Sequence, residues 1–171
     1  KEAEYNSKKE SLSPNVGFEG ETMDGKKFGH GKMIFEDGSI YEGEWAFDLQ
    51  DGQGKMVYKD GSSFEGEWKN GKMGSHGTVI WANGNKYVGD LVKGQMNGKG
   101  TITRTDGSHY TGDFVNGSYE GEGLLTVRED DGSINTYTGY FRAGKIVNGR
   151  RIKILPNGKQ YVTDYENGEE K

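Results

Sequence analysis

The 171-residue sequence has no cysteine, which excludes disulfides, thiolate metal sites and a cysteine nucleophile and fits a reducing compartment. It has little hydrophobic mass: 30% of residues are hydrophobic and the mean hydropathy is -0.93, too little for a thick globular core. No apolar run approaches the roughly 18 residues that a membrane-crossing helix needs. An excess of basic charge is missing as well. Lys and Arg number 22 against 27 Asp and Glu, a net charge of -5, which argues against nucleic acid as the principal partner. The chain starts at Lys1 instead of Met, so a fragment or processed product is expected, with any targeting segment already removed.

Proline is also scarce at 2 residues, whereas glycine supplies 30 and aromatics reach 12%. Disorder depletes aromatics, so ordered, turn-rich β structure is the better reading. An aromatic followed two residues later by Gly recurs at Phe18-Glu19-Gly20, Tyr41-Glu42-Gly43, Phe64-Glu65-Gly66, Tyr87-Val88-Gly89, Tyr110-Thr111-Gly112 and Tyr137-Thr138-Gly139. The first four intervals are 23 residues and the fifth is 27, because the stretch from Arg128 to Thr136 carries four extra residues. Self-similarity at such a period marks a repeat array.

Near the end of each unit stands an Asp-Gly or Asn-Gly pair: Asp37-Gly38, Asp60-Gly61, Asn83-Gly84 and Asp106-Gly107, with Asp131-Gly132 and Asn157-Gly158 out of strict phase. Such pairs are the strongest short-range hairpin signal and predict type I′ turns at the repeat boundaries. A second Gly-rich connection inside each unit, as from Asn70-Gly71 to His76-Gly77, divides it into two short antiparallel strands. Alternation then puts Tyr41, Gly43 and Trp45 on one face and Glu42 and Glu44 on the other, and Phe64, Gly66 and Trp68 opposite Glu65 and Glu67. The expected fold is all-β, an elongated, twisted, single-layer antiparallel sheet of about six hairpins, on the order of 60 Å long at about 4.8 Å per strand. Residues 1–17 form an N-terminal extension or partner-binding segment. The array runs over 18–168 with units starting at 18, 41, 64, 87, 110 and 137 and a partial one at 161, and 169–171 is a tail.

The segments Tyr41-Glu42-Gly43-Glu44-Trp45 and Phe64-Glu65-Gly66-Glu67-Trp68, with their trailing Gly-x-Gly and Asp-Gly pairs, resemble the MORN (membrane occupation and recognition nexus) repeat over roughly 18–168. The resemblance implies a twisted single-layer sheet with a groove that receives a partner helix or extended peptide. Similar proteins occur in ciliary radial spokes and protist cytoskeletons, as junction and phosphoinositide-associated proteins, and as accessory modules of enzymes. Departures stand out. Thr22, Leu91 and Phe114 replace the Trp of units two and three, so the first unit reads as a cap. Asp48 takes a turn position held by Gly71, Gly94 and Gly117. Arg150 and Arg151 fall where a Gly is due, and Tyr161 onward, with Thr163 in place of Gly, reads as a closing edge strand.

Candidate chemistry is weighed on the same residues. Gly52-Gln53-Gly54 and Gly98-Lys99-Gly100 precede strands, not helix N-termini, and so are not phosphate loops. His30 and His76 occupy the same place in units one and three, roughly 20 Å apart, and cannot share a metal ion. The paired carboxylates Glu19/Glu21, Glu42/Glu44 and Glu65/Glu67 recur on a solvated face with Lys32 and Lys55 as cross-strand partners, a charge ladder and not an acid–base pair. No Gly-x-Ser-x-Gly elbow or other nucleophile with a base is present, so neither catalytic residue, cofactor nor metal is expected.

The aromatic face is different, because no amphipathic helix longer than a turn or two exists outside Lys1 to Ser11 to cover it. One reading of its rings is that they simply pack on each other along the sheet; the other adds partner binding, since an uncovered aromatic face marks an interaction surface, and makes Tyr41, Trp45, Tyr58, Phe64, Trp68, Trp81, Tyr87, Tyr110, Phe114, Tyr137 and Phe141 the expected partner-binding groove. Arg142, Lys145, Arg150, Arg151 and Lys153 form a possible patch for an anionic partner, with Glu166, Glu169 and Glu170 close behind. The functional expectation is a non-catalytic, intracellular scaffold for a protein helix, a peptide or its own copy, in a cytoskeletal or ciliary setting. The alternatives are a peripheral module for anionic lipid such as phosphoinositides, or the accessory domain of a larger enzyme.

Overall fold

The computed structural model describes residues 5–6 and 17–171. The extension expected at 1–17 lies outside the described residues apart from Tyr5, Asn6 and Gly17, and so does nearly all of the helix candidate. Every regular element among the described residues is a strand. The chain divides into two compact units, Lys1–Ala82 and Asn83–Lys171.

In the first unit β1 (Tyr5–Asn6), β2 (Gly17–Met23), β3 (Lys26–Ile34), β4 (Ile40–Ala46), β5 (Leu49–Val57), β6 (Ser63–Lys69) and β7 (Lys72–Ile80) pair antiparallel in chain order. In the second, β8 (Lys86–Val92), β9 (Gln95–Thr103), β10 (His109–Val115), β11 (Ser118–Arg128), β12 (Ile134–Arg142), β13 (Lys145–Ile154), β14 (Gln160–Glu166) and β15 (Glu169–Glu170) do the same. Within each unit a strand's substantial contacts are with its sequence neighbours, which is the local packing of a repeat array.

Two kinds of turn alternate, and their types correct the sequence reading. The two-residue type I′ turns lie inside the repeats: Asp24-Gly25, Phe47-Asp48, Asn70-Gly71, Lys93-Gly94, Asn116-Gly117, Ala143-Gly144 and Asn167-Gly168 all have φ between 47° and 85° at both residues. At the repeat boundaries only the Gly is left-handed, as in Gly38 at 86° and Gly61 at 84°. There the Gly38 N–H donates to the Phe35 carbonyl at 3.0 Å and the Phe35 N–H to the Ser39 carbonyl at 2.9 Å, a type I turn followed by a left-handed Gly. The physical reason is the Asp side chain. Asp37 Oδ1 accepts from the Ser39 N–H at 2.9 Å and the Ser39 hydroxyl at 2.6 Å, a side-chain turn that favours the right-handed conformation at Asp37.

Each hairpin also carries a bulge. Gly43 faces Gly54 but Trp45 faces Gln50, so Asp51, Gly52 and Gln53 lie opposite Glu44 alone. The same slip follows Gly20, Gly66, Gly89 and Gly112. In the sixth repeat the bulge is one residue shorter, so Gly149 faces Gly139, Arg150 faces Thr138 and Arg151 faces Tyr137. The Gly that the sequence seemed to lose to Arg150 and Arg151 is therefore present as Gly149. The array's end is corrected too: β14 pairs with β13 on one side and with β15 on the other, through Tyr165↔Glu170 and Glu166↔Glu169. Tyr161 is thus not on the closing strand, and residues 169–170 are strand instead of tail.

Candidate functional site

The first-strand rings form rows. In the first unit Phe18 meets Trp45 at 5.5 Å, Trp45 meets Tyr41 at 5.0 Å, Tyr41 meets Trp68 at 5.2 Å and Trp68 meets Phe64 at 5.5 Å, all edge-to-face. In the second, Tyr87–Phe114, Phe114–Tyr110 and Tyr110–Phe141 lie at 5.2–5.3 Å in the same manner, and Tyr119 stacks on Tyr110 at 3.9 Å. These are the favoured geometries of aromatic pairs. Phe18, Tyr41, Tyr87 and Tyr110 thus each lean on the fifth residue of the following repeat, Trp45, Trp68, Phe114 and Phe141.

The expected open groove is corrected by this packing. Tyr41, Trp45, Phe64, Trp68, Tyr87, Tyr110, Phe114 and Phe141 are at most 4% exposed, because the rings cover one another and the glycines beneath them. A Cβ on Gly54 would collide with the Tyr41 ring, and one on Gly43 would stand 2.8 Å from the Tyr41 hydroxyl. Cross-strand glycine pairs let each ring lie down on the backbone and close the face without a second layer. The polar ends are satisfied in place: Tyr41, Tyr87 and Tyr110 hydroxyls donate to the carbonyls of Glu44, Asp90 and Asp113 at 2.7–3.1 Å, and Trp45 and Trp68 Nε1 donate to the carbonyls of Gly31 and Gly54 at 3.0 Å. Burial, then the charge of Glu44, Asp90 or Asp113, pushes the three tyrosines up to about 12.

Of the other expected groove residues, Trp81 and Tyr137 are half-buried and Tyr58 is exposed. Tyr58 lies beside Met73, hydroxyl to Sδ at 3.8 Å. Both project from the ring face of the first unit, since Met73 is the partner of Trp68, and both remain more than a third exposed.

The carboxylates behave in two ways, only one of which the sequence announced. Glu42, Lys55 and Glu65 form a cross-strand series, with Lys55 Nζ 3.7 Å from Glu65 Oε2; an exposed pair of this kind contributes little stability. Glu44 and Asp90 instead turn onto the bulges, where they accept the N–H of Gln53 and, at 3.0 Å, of Lys99. The acid four places into a repeat is thus a bulge anchor, and its legible signal was the Gly eight residues later, at Gly29, Gly52, Gly98 and Gly121.

The basic patch is divided between faces and partly neutralised. Arg142 and Lys145 are exposed beside the Ala143-Gly144 turn. Arg150 is held by Asp164, Nε to Oδ1 at 2.7 Å and Nη2 to Oδ2 at 3.3 Å. Arg151 on the other face donates to Thr163 Oγ1 at 3.0 Å and lies 3.2 Å from Glu170 Oε1. Lys153 is half-buried on Arg151's face. His30 and His76 are exposed, and among the described residues no group of three or more His, Cys, Asp or Glu is placed to hold a metal ion.

A MORN repeat model matches residues 18–40, 41–63, 64–86, 87–109 and 110–126. The matches reproduce the 23-residue register and stop just before the four-residue insertion. Among solved structures, the chain is similar to the SAS-4 (dCPAP) TCP domain of Drosophila melanogaster in complex with a proline-rich motif of Ana2 (dSTIL). The identity is 15%, with 78% of this chain and 83% of that chain covered and a TM-score of 0.38, a likeness too slight to carry an argument.

Proposed function

The chain belongs to the MORN-repeat family, and from that premise we propose that it is a non-catalytic scaffold that binds a protein helix or extended peptide on the ring face of its sheet. The observation that carries this reading is Tyr58 beside Met73: two large apolar side chains, 38% and 39% exposed, on the face where the neighbouring rings are packed away. The buried rings give that surface a rigid base, which lowers the ordering cost of binding. Aromatic and Met side chains are the residue types enriched at interface cores. A cytoskeletal or ciliary assembly inside the cell is the setting we propose, with a second copy of the chain as the alternative occupant.

The test compares the wild type with a Tyr58→Ser, Met73→Ser double variant as bait, with captured proteins identified by mass spectrometry and confirmed by titration with purified partner. Both side chains are exposed, so circular dichroism should show an unchanged fold. A partner bound by the wild type and weakened at least tenfold in the variant supports the reading. Equal binding by both baits overturns it.

A further inference from the structure

In the first unit a second row of aromatics runs beside the buried rings. Met33 and Met56 face Tyr41 and Val79 faces Phe64, so Phe35, Tyr58 and Trp81, two residues further along, share the ring face. The alternation carries past the strand ends, because the Phe35 and Tyr58 N–H groups still bond across to the Ser39 and Ser62 carbonyls at 2.9 and 2.8 Å. The three residues follow β3, β5 and β7. Every second strand along a sheet is a step of about 9.6 Å, at about 4.8 Å per strand. Among the described residues none of the three packs on another ring. Phe35 and Trp81 are half-buried and Tyr58 is exposed.

That spacing selects among peptide conformations. A polyproline II helix has three residues per turn at about 3.1 Å each, so one side chain in three returns to the same side every ~9.3 Å. Over the two intervals from Phe35 to Trp81 it drifts from the rings by roughly 0.6 Å. Two turns of an α-helix cover about 10.8 Å, and the drift grows to roughly 2.4 Å. An extended strand repeats a face every ~6.8 Å and misses the middle ring. Aromatic-lined surfaces are also what proline rings dock on, because the polyproline form is already ordered before it binds. Met73 adds an apolar wall at the central ring, its Sδ 3.8 Å from the Tyr58 hydroxyl.

Charge along the row sets the flank of such a segment. The turns after Phe35 and Tyr58 expose Glu36, Asp37 and Asp60 against Lys59, whereas Ala82 and Asn83 take these places after Trp81. Bonds from Ser39 and Ser62 hold the Asp37 and Asp60 carboxyls below the usual carboxylate range, and Lys59 acts on Asp37. Among the described residues no Lys or Arg forms an ion pair with Glu36 or Asp60. The border is therefore acidic beside Phe35 and Tyr58 and uncharged beside Trp81. We propose that the Phe35, Tyr58 and Trp81 row is the docking site of a proline-rich protein segment in the polyproline II form, with Arg or Lys at the end that meets Glu36. The inference rests on the reading of the Tyr58 and Met73 surface as a peptide-binding one and names the kind of peptide.

The test is an amide chemical-shift titration of the full chain with three probes: a polyproline peptide of three turns with two arginines at one end, the same peptide with two glutamates there, and a two-arginine peptide with a Gly-Ser tail of equal length. Saturable shifts around Phe35, Tyr58, Met73 and Trp81 are expected with the first probe. The second should bind at least tenfold more weakly, and the third should not saturate. Tyr58→Ser with Met73→Ser should weaken the first probe at least tenfold, and Glu36→Gln, at an exposed site, should narrow the gap between the two proline probes. Absence of saturation with the first probe, an equal response to either control peptide, or unchanged binding in the double variant would each overturn the proposal. A partner captured through Tyr58 and Met73 while the first probe stays unbound removes the polyproline occupant and leaves the scaffold reading standing.

Discussion

The Tyr41 ring lies across Gly54, its hydroxyl donating at 3.0 Å to the Glu44 carbonyl in its own strand. One interaction thus joins three repeat features: the aromatic, the cross-strand Gly and the acid-bearing bulge.

Gly54→Ala should be destabilising, since a methyl there meets the packed Tyr41 ring. Overpacking of this kind costs about 1–3 kcal/mol. Urea denaturation should report it as a lower midpoint with unchanged slope, while Gly61→Ala, with open space around its Cβ, isolates the separate cost of a left-handed Gly. If Gly54→Ala leaves the midpoint unmoved, the ring does not rest on this glycine.

Tyr41→Phe removes a hydroxyl that ties the ring to the Glu44 carbonyl beside the bulge of its own strand and should cost about 1 kcal/mol. The reverse change is available one repeat later, where Phe64 is equally buried and meets Trp68 as Tyr41 meets Trp45. Phe64→Tyr should place a hydroxyl near the Glu67 carbonyl and be neutral to stabilising by up to about 1 kcal/mol. A strongly destabilised Phe64→Tyr protein would show that the repeats are not equivalent at this position.

Phe47 and Asp48 occupy left-handed positions at φ 48° and 72°, and theirs is the one type I′ turn among those described with no glycine. A bulky residue there is strained. Phe47→Asn, matching Asn70 and Asn116, should raise stability by about 1 kcal/mol or less. Asp48→Asn should be tolerated because an amide oxygen can still accept the Lys27 N–H now bonded to Asp48 Oδ1 at 2.9 Å. A thermal melt in which Phe47→Asn lowers the midpoint would mean that the Phe28–Phe47 contact at 5.6 Å outweighs the strain.

Tyr41, Tyr87 and Tyr110 are raised from 10.0 to about 12 by burial first and then by nearby carboxylates. The folded chain therefore holds these protons more tightly than the unfolded one. Their stabilisation is complete below pH 10 and is lost as pH rises through the window up to about 12. A phenolate absorbance titration should show two steps, with this group ionising in the later one. A single step near 10 for every tyrosine would contradict the packing.

Arg150 and Arg151 are already paired with Asp164 and Glu170, so Arg150→Ala with Arg151→Ala should leave any affinity for anionic vesicles nearly unchanged at physiological ionic strength. Exposed Arg142 and Lys145 are better placed to meet a charged surface. Vesicle sedimentation that depends on Arg150 and Arg151 would instead restore the membrane reading of that patch.

The sequence by itself determined the 23-residue register, the strand alternation and the all-β class, because these follow from spacing: aromatic, Gly and acid recur at fixed offsets, and a strand's faces alternate with period two. It also located Tyr41, Trp45, Phe64 and Trp68 on one face. Whether that face was open or closed was decided by tertiary structure, since only the cross-strand pairing of Gly43 with Gly54 and Gly66 with Gly77 lets each ring lie on the backbone and bury its neighbour. Turn type was also beyond the sequence pattern. Asp37-Gly38 and Asn70-Gly71 look alike in the chain, yet the Asp37 bond to Ser39 and the register of the flanking strands separate them. Arg151 shows the same limit most sharply: a bulge shortened by one residue moves it from an apparent glycine slot to the rung facing Tyr137. Only the pairing of β12 with β13 fixes that register.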